Sequence, residues 1–401
     1  MSITEFAEPF AELEPLAELI GDARIVAIGE NNHHIAEFGA LRDRLLRFLV
    51  RDLGFGVLGF ESGFAEGRLV DEWIRGGPGA VAEIGRDGVT FSLGESDEMH
   101  AMLTWLREHH AAGGDIRYAG LDVPSSGGSG LPALHAVREY LETVDPAAVP
   151  LADRAIAATE PYAGASSAVA PGRYAALEPA ARDAATAALA VLLQHLDSLA
   201  PMYRPKAEHA IARHHALGAL RVDAYLRELD DLANGRAPAV QSASRDAYMA
   251  ATVRLLRDLL GADRRLVIMV HNGHLQRVPC RLLPTLTAPL LGSHLADEFG
   301  PDYFTLALTA GTGTTTGLAP APDARLGFRV YEEKLGEPEP GSVEAALAGR
   351  GPSLVDLRAA RARGIPGPER IRHAHMYSEV DVVQAFDALV YLPEMHASRK
   401  L

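Results

Sequence analysis

Cysteine is nearly absent from the 401 residues: Cys280 stands alone, so no internal disulfide, zinc ribbon or paired-thiol redox motif can form. Lysine is almost as scarce, with Lys206, Lys334 and Lys400 the only three. The 38 basic residues face 53 acidic ones, and the formal charge of −15 repels phosphate backbones. No nucleic-acid partner is expected. No apolar run reaches about 18 residues, so no bilayer span is expected either. The opening segment carries Glu5, Glu8, Glu12, Glu14 and Glu18 and no basic stretch, unlike a secretory signal. A cytoplasmic address is therefore the expectation. Three catalytic signatures are also missing: a GxSxG elbow, a GxxxxGK[ST] loop and HExxH. An α/β-hydrolase serine triad and a P-loop NTPase are disfavoured.

What is present is an ordinary globular composition, 48% apolar and 23% charged. The length suits two lobes, or one large α/β domain with an insertion. Strand and helix patterns alternate over the first 125 residues. Arg24–Ile28, Phe55–Phe60 and Ile116–Leu121 read as buried strands, ending at Glu30, Glu61 and Asp122. Phe38, Leu41, Leu45, Phe48 and Leu49 recur at helical spacing and predict a helix over Ile35–Asp52; another helix covers Asp97–His110. From Ala148 to Leu260 no alternating β pattern occurs, and helices are expected at Tyr174–Leu199, Lys206–Ala233 and Ser242–Leu260. Strand patterns return at Arg265–Val270 and Tyr303–Thr309, the second followed by a Gly/Thr loop from Gly311 to Gly317. Shorter strands are expected at Phe328–Glu332, Ser353–Leu357 and Ala388–Tyr391. The fold class is thus α/β: a mainly parallel sheet flanked by helices, with a helical insertion lobe. The expected boundaries are 1–147 and 261–401 for the α/β domain and 148–260 for the lobe.

Open α/β sheets bind ligands beyond the carboxyl ends of their parallel strands. Four such ends here carry ionisable groups: Glu30, Glu61, Asp122 and His271. Any one of them can be a turn or cap residue; four together point to a site. In Gly29-Glu30-Asn31-Asn32-His33-His34, Glu30 and His33 are three apart. A carboxylate that fixes the imidazole tautomer leaves the other ring nitrogen to take a proton from water. His34 is expected to be a solvated helix-start residue, and Glu37 to cap the helix. His271-Asn272-Gly273-His274 can place both imidazoles in the crevice. The pair also fits a metal site completed by Glu30, His33 or Glu61; alternatively, one His is functional and the other bonds to backbone. Arg42 can pair with Glu61 or stabilise an oxyanion. Arg245 and Asp246 can form a structural ion pair, Cys280 reads as a small packing residue, and His373 and His375 as surface residues.

At these residues the chain resembles the erythromycin esterase family. The resemblance rests on Gly29-Glu30-x-x-His33 with Glu37-Phe38, on LRDRLLRFLVRDLGF, on Phe60-Glu61-Ser62 and on Gly120-Leu121-Asp122. It continues through SRDAYMA (244–250), HNGHLQR (271–277), GSHLADEFGPDYFTLAL and the Ala388–Leu392 strand, in order over almost the whole chain. It implies an α/β domain with the helical insertion lobe forming a deep cleft, and hydrolysis of a macrolactone ester by histidine-activated water, with no metal or cofactor required. His33 is then the base, Glu30 its partner, and Glu61 and Arg42 position water and substrate, with His271 completing the catalytic set. His274, Asn272, Asp122, Asn32 and Arg245 are the candidates for substrate contact. The expected partner is a small macrolide or polyketide-like molecule. Asn31-Asn32 and His34 depart from the smaller residues usual in the family and add polar bulk at the mouth. A lyase or cyclase of natural-product tailoring would use the same acid–base groups; a metallohydrolase and a non-catalytic binder are the other readings.

Overall fold

A computed structural model describes residues 2–283 and 286–399. The strands are β1 (Ala7–Pro9), β2 (Ile25–Ile28), β3 (Phe55–Gly63), β4 (Arg117–Asp122), β5 (Arg265–Met269), β6 (Cys280–Leu283) and β7 (Leu286–Ala288). They continue with β8 (Tyr303–Pro320), β9 (Phe328–Lys334), β10 (Ser353–Asp356), β11 (Arg370–His373), β12 (Met376–Glu379) and β13 (Ala388–Met395). One sheet runs β1-β10-β13-β8-β2-β5-β3-β4, with β9 paired to the far half of β8. From β13 to β4 every neighbour is parallel; β1 and β10 add an antiparallel edge. Two hairpins, β6–β7 and β11–β12, stand apart.

β2 reads Ile-Val-Ala-Ile and is buried throughout. Val26 and Ile28 join the core on one face with Phe38, Leu45 and Trp105; Ile25 and Ala27 join the other with Met249, Val253 and Leu295. A strand covered on both sides needs this uninterrupted apolar run, because a polar residue on either face would lose its water. The first face is packed by α1 (Ala36–Arg51), α2 (Phe64–Ile74) and α3 (Asp97–Ala111).

The helical lobe contains α4 (Leu131–Val144), α5 (Val149–Thr159), α6 (Pro179–Leu199) and α7 (Lys206–Ala233). Leu134, Val137 and Leu141 of α4 share its core with Leu189, Leu192 and Leu196 of α6, so lobe packing starts upstream of residue 148. α8 (Ser244–Leu260) packs against β4, and with α9 (Leu291–Phe299) covers the second sheet face through Met249, Val253, Leu256, Leu291 and Leu295. Val123, Val222, Leu226 and Tyr248 form one cluster that ties lobe to sheet.

Two local expectations are corrected. Tyr174–Leu199 is two helices, Ala170–Ala175 and Pro179–Leu199: Glu178 precedes a proline and is extended at ψ 142°. The Gly311–Gly317 segment is strand, not loop, because its β-branched Thr residues pair with β13 up to Gly313 and with β9 from Thr314 onward.

Candidate active site

The C-terminal ends of β2, β3, β4 and β5 meet beneath the lobe. Gly29 follows β2, and a Cβ there would fall 1.9 Å from Asn272 Oδ1. Only glycine leaves space for the Asn272 amide, which donates to the Leu308 carbonyl at 2.8 Å and accepts from the Leu308 N–H at 3.2 Å. The Asn272 N–H donates to the Glu30 carbonyl at 2.8 Å. Asn272 therefore staples three strand ends and is 2% exposed; its expected substrate contact is corrected, since both ends of the amide are used. Asn32 is likewise engaged, donating to Thr315 Oγ1 at 2.8 Å and to the Thr316 carbonyl at 2.7 Å. These bonds, with Thr316 Oγ1 donating to the His33 carbonyl, hold the loop in place. His34 is not solvated: it is buried, left-handed at φ 58°, and 3.4 Å from Ser92 Oγ. Burial pushes its pKa down to about 4. Glu37 does not cap α1; it accepts from the backbone N–H of His396 and pairs with its ring.

Glu30 Oε1 accepts from His33 Nδ1 at 2.9 Å and from Arg42 Nη1 at 2.7 Å. Arg42 does not pair with Glu61. It points from α1 into the β2 loop, 4% exposed, where it cannot reach a substrate. Burial pushes the Glu30 carboxyl up, but the Arg42 charge and the His33 bond outweigh it and hold it below the usual range. His33 is pushed down by burial and pulled up by the Glu30 bond and the fields of Glu61 and Glu30, ending above 6.5. With Nδ1–H on Glu30, Nε2 is left to face Glu61 Oε1 at 3.9 Å.

Glu61 is the hub of a second network. Its Oε2 accepts from the His271 N–H at 2.6 Å; its Oε1 takes Arg245 Nη2 at 3.1 Å and His274 Nε2 at 3.3 Å. Burial opposes its ionisation, but His274, His33 and Arg245 together hold its pKa well below 4.5. Arg245 forks onto Asp122, at 2.9 Å from Nε and 2.6 Å from Nη2, rather than pairing with Asp246. Asp122 is fully buried, so its part here is to hold Arg245 and not to contact substrate. Asp246 instead takes His274 Nδ1 at 2.6 Å. Burial disfavours the His274 charge, yet Asp246 and Glu61 raise its pKa to about 10, making it a standing imidazolium.

His271 is different. Its Nδ1 accepts from the Gly273 N–H at 3.0 Å, so Nε2 carries the hydrogen and donates to the Asn31 carbonyl at 2.9 Å. Burial drives its pKa well below 6.5. It is a neutral, fully bonded ring. Of the nitrogens a metal would need, His271 and His274 offer none without a partner, and among the described residues no three His, Cys, Asp or Glu side chains converge as ligands.

Beside Arg245, His271 and His274 opens a cleft of about 720 Å³. Arg245, Asp246, His271 and His274 line its base; Tyr225, Leu229 and Leu232 of α7, Cys280 and Leu283 of the first hairpin, and Met376 and Tyr377 of the second supply apolar walls. Cys280 is buried as expected, and burial lifts its thiol to about 11. His375 and His373 are both exposed, as expected, and the His373 ring also packs 4.3 Å from that of His271 and lines the cleft. The Ala374 N–H donates to the Asn31 carbonyl, pinning this hairpin tip to the His33 loop. Sequence reasoning missed His373 and the Asp246–His274 pair. A His at the last position of a short hairpin strand carries no local signal, and Asp246 was masked by its basic neighbour.

The family model for erythromycin esterases matches residues 50–395. Erythromycin esterase type II from Escherichia coli is 32% identical over 398 residues, covering 97% of this chain and 94% of that protein. Erythromycin esterase type I from Escherichia coli is 28% identical, covering 95% and 93%. Among solved structures, a mutant of the erythromycin esterase EreC in its open conformation superposes with a TM-score of 0.84 at 25% identity, covering 96% of this chain and 94% of that one. With the strand-end site and cleft in place, these matches lead to one assignment: the chain belongs to the erythromycin esterase family.

Proposed function

We propose that this protein is a hydrolase that opens a macrolactone or a comparable bulky ester with water activated by His33. The reading is carried by one observation: His33 Nε2 is unbonded, its tautomer is fixed by Glu30, and it faces a carboxylate across 3.9 Å. A water in that gap donates one proton to Nε2 and the other towards Glu61. Its oxygen attacks the ester carbonyl as Nε2 takes the first proton. The oxyanion develops beside His274 and Arg245, both cationic and both lining the cleft. Collapse breaks the acyl C–O bond, and the His33 imidazolium returns its proton to the departing alkoxide, leaving an acid and an alcohol. Arg42 acts from behind, holding Glu30 ionised. The apolar walls suit a large, mostly apolar substrate such as a macrolide; in that setting the reaction would confer macrolide resistance.

The test is chelator-treated protein incubated with a panel of macrolactones and simpler esters, read by product mass. Gain of one water with activity surviving chelation supports the proposal. Loss of water, or unchanged mass with a new retention time, moves the assignment to a dehydratase or cyclase; activity lost on chelation and restored by a metal moves it to a metallohydrolase.

A further inference from the structure

The Arg42 guanidinium is buried, yet Glu30 takes only its Nη1. Its Nε and Nη2 meet no protein acceptor, and the ring of Phe60 lies 5.5 Å from its carbon. A second buried polar atom shares this predicament. Glu98 Oε2, on α3, has no donor, and the Glu98 side chain lies across Gly39 of α1. Glu98 and Arg42 form no ion pair within 4 Å, yet both line one chamber of about 40 Å³. Its other walls include Glu30, His34, Ser96 and Ser398, and it shares no lining residue with the substrate cleft. A water needs roughly 10–15 Å³ and two to four polar partners. The chamber offers both: two N–H donors from Arg42 and a carboxylate oxygen from Glu98.

We propose that this chamber is a structural water site joining Arg42 to Glu98, and that Glu98 is a positioning residue for the His33 base. The chain then runs His33, Glu30, Arg42, water, Glu98, with acidic and basic groups alternating. Glu98 touches no substrate. It acts by offsetting part of the Arg42 charge, which otherwise depresses the basicity of His33. The other groups facing His33 are Glu30, Glu61, His34, His271 and His373, and none of them is altered by a change at Glu98. The inference rests on the hydrolytic reading for its catalytic meaning, but not for its test.

The test is a histidine-labelled NMR titration of His33 in the full chain, wild type against Glu98→Gln. Removing the carboxylate charge leaves the field of Arg42 at His33 less offset, so the His33 midpoint falls, by roughly 0.3–1 pH unit. Gly39→Ala is the second variant, and it keeps every charge. Its Cβ would sit 2.7 Å from Glu98 Cβ, displacing the carboxylate from the chamber and lowering the midpoint in the same direction. Midpoints unchanged in both variants overturn the proposal. A fallen midpoint with a matching shift in the acid limb of kcat/KM supports it together with the role of His33 as base. A fallen midpoint with an unmoved rate profile supports the water link and overturns the role of His33 instead.

Discussion

His33 Nε2 stands 3.9 Å from Glu61 Oε1, too far for a direct bond and the right span for one water held at both ends. His33 follows β2 and Glu61 lies near the end of β3, the two strands that flank β5, and each is committed on its other side. Nδ1 of His33 is bonded to Glu30, while Glu61 is fixed by His271, Arg245 and His274. Neither can swing away without breaking a buried charge pair, so the gap between them is pre-set before any substrate arrives.

If that gap holds the attacking water, removing the base should cost what a general base supplies. His33→Ala is expected to lower kcat by about 10²–10⁴-fold, with a smaller change in KM. Glu30→Gln keeps the shape but loses the charge that fixes the tautomer, and its loss should be the smaller of the two. Product formation measured by mass on any cleaved ester checks both. Wild-type turnover in His33→Ala would remove the proposed mechanism.

The pH profile follows from the same groups. His33 must be neutral to accept a proton, and its pKa lies above 6.5, so kcat/KM should rise with pH through a midpoint above that value. His274 must be charged to face an oxyanion, and its pKa is about 10, so the rate should fall as pH passes through that region. A bell with its acid limb above 6.5 and its alkaline limb near 10 is expected. A profile flat from pH 6 to 8 would contradict the assignment of His33.

Much of this was legible in the sequence, and the reasons for the rest are physical. β2, β3, β4 and β5 are buried on both faces, so their apolar runs and acidic or His endings stood out. Glu30 and His33 lie on one short loop, and spacing alone put them within reach. The partners of Arg42 and Arg245 were another matter: which carboxylate a long side chain meets depends on helix placement across the sheet, not on the neighbouring residues. β8 was cut short because Gly311, Gly313 and Gly317 look like turn residues until β9 and β13 pair with them. His373 reaches His271 from 102 positions away, through a hairpin whose tip is anchored to Asn31.

The His274 imidazolium also links stability to pH. Its folded-state pKa is raised from 6.5 to about 10, so its contribution is fully present below 6.5 and is lost as pH climbs towards 10. Denaturant midpoints for the wild type should therefore fall between pH 7 and 10. His274→Gln is expected to be less stable at pH 6 and to lose part of that slope. Parallel slopes for the two proteins would show that His274 is not the group responsible.

Asn272 separates a structural role from a binding role. Its amide satisfies both polar groups of Leu308 in a buried position, so Asn272→Ala leaves an N–H and a carbonyl without partners. The expected cost is about 2–4 kcal/mol of folding stability, from roughly 1–3 kcal/mol for each orphaned group, partly relieved by relaxation. Because the side chain points away from the cleft, the KM of the folded variant should stay within about twofold of wild type, since no substrate contact is removed. Gly29→Ala tests the same staple from the other side: its Cβ would collide with Asn272 Oδ1 at 1.9 Å, forcing the amide off Leu308. The double variant relieves that collision, so the two losses should not add. Additive losses, read from denaturant unfolding of the two single variants and the double, would mean that Gly29 and Asn272 act independently and that the close approach is not what demands glycine there.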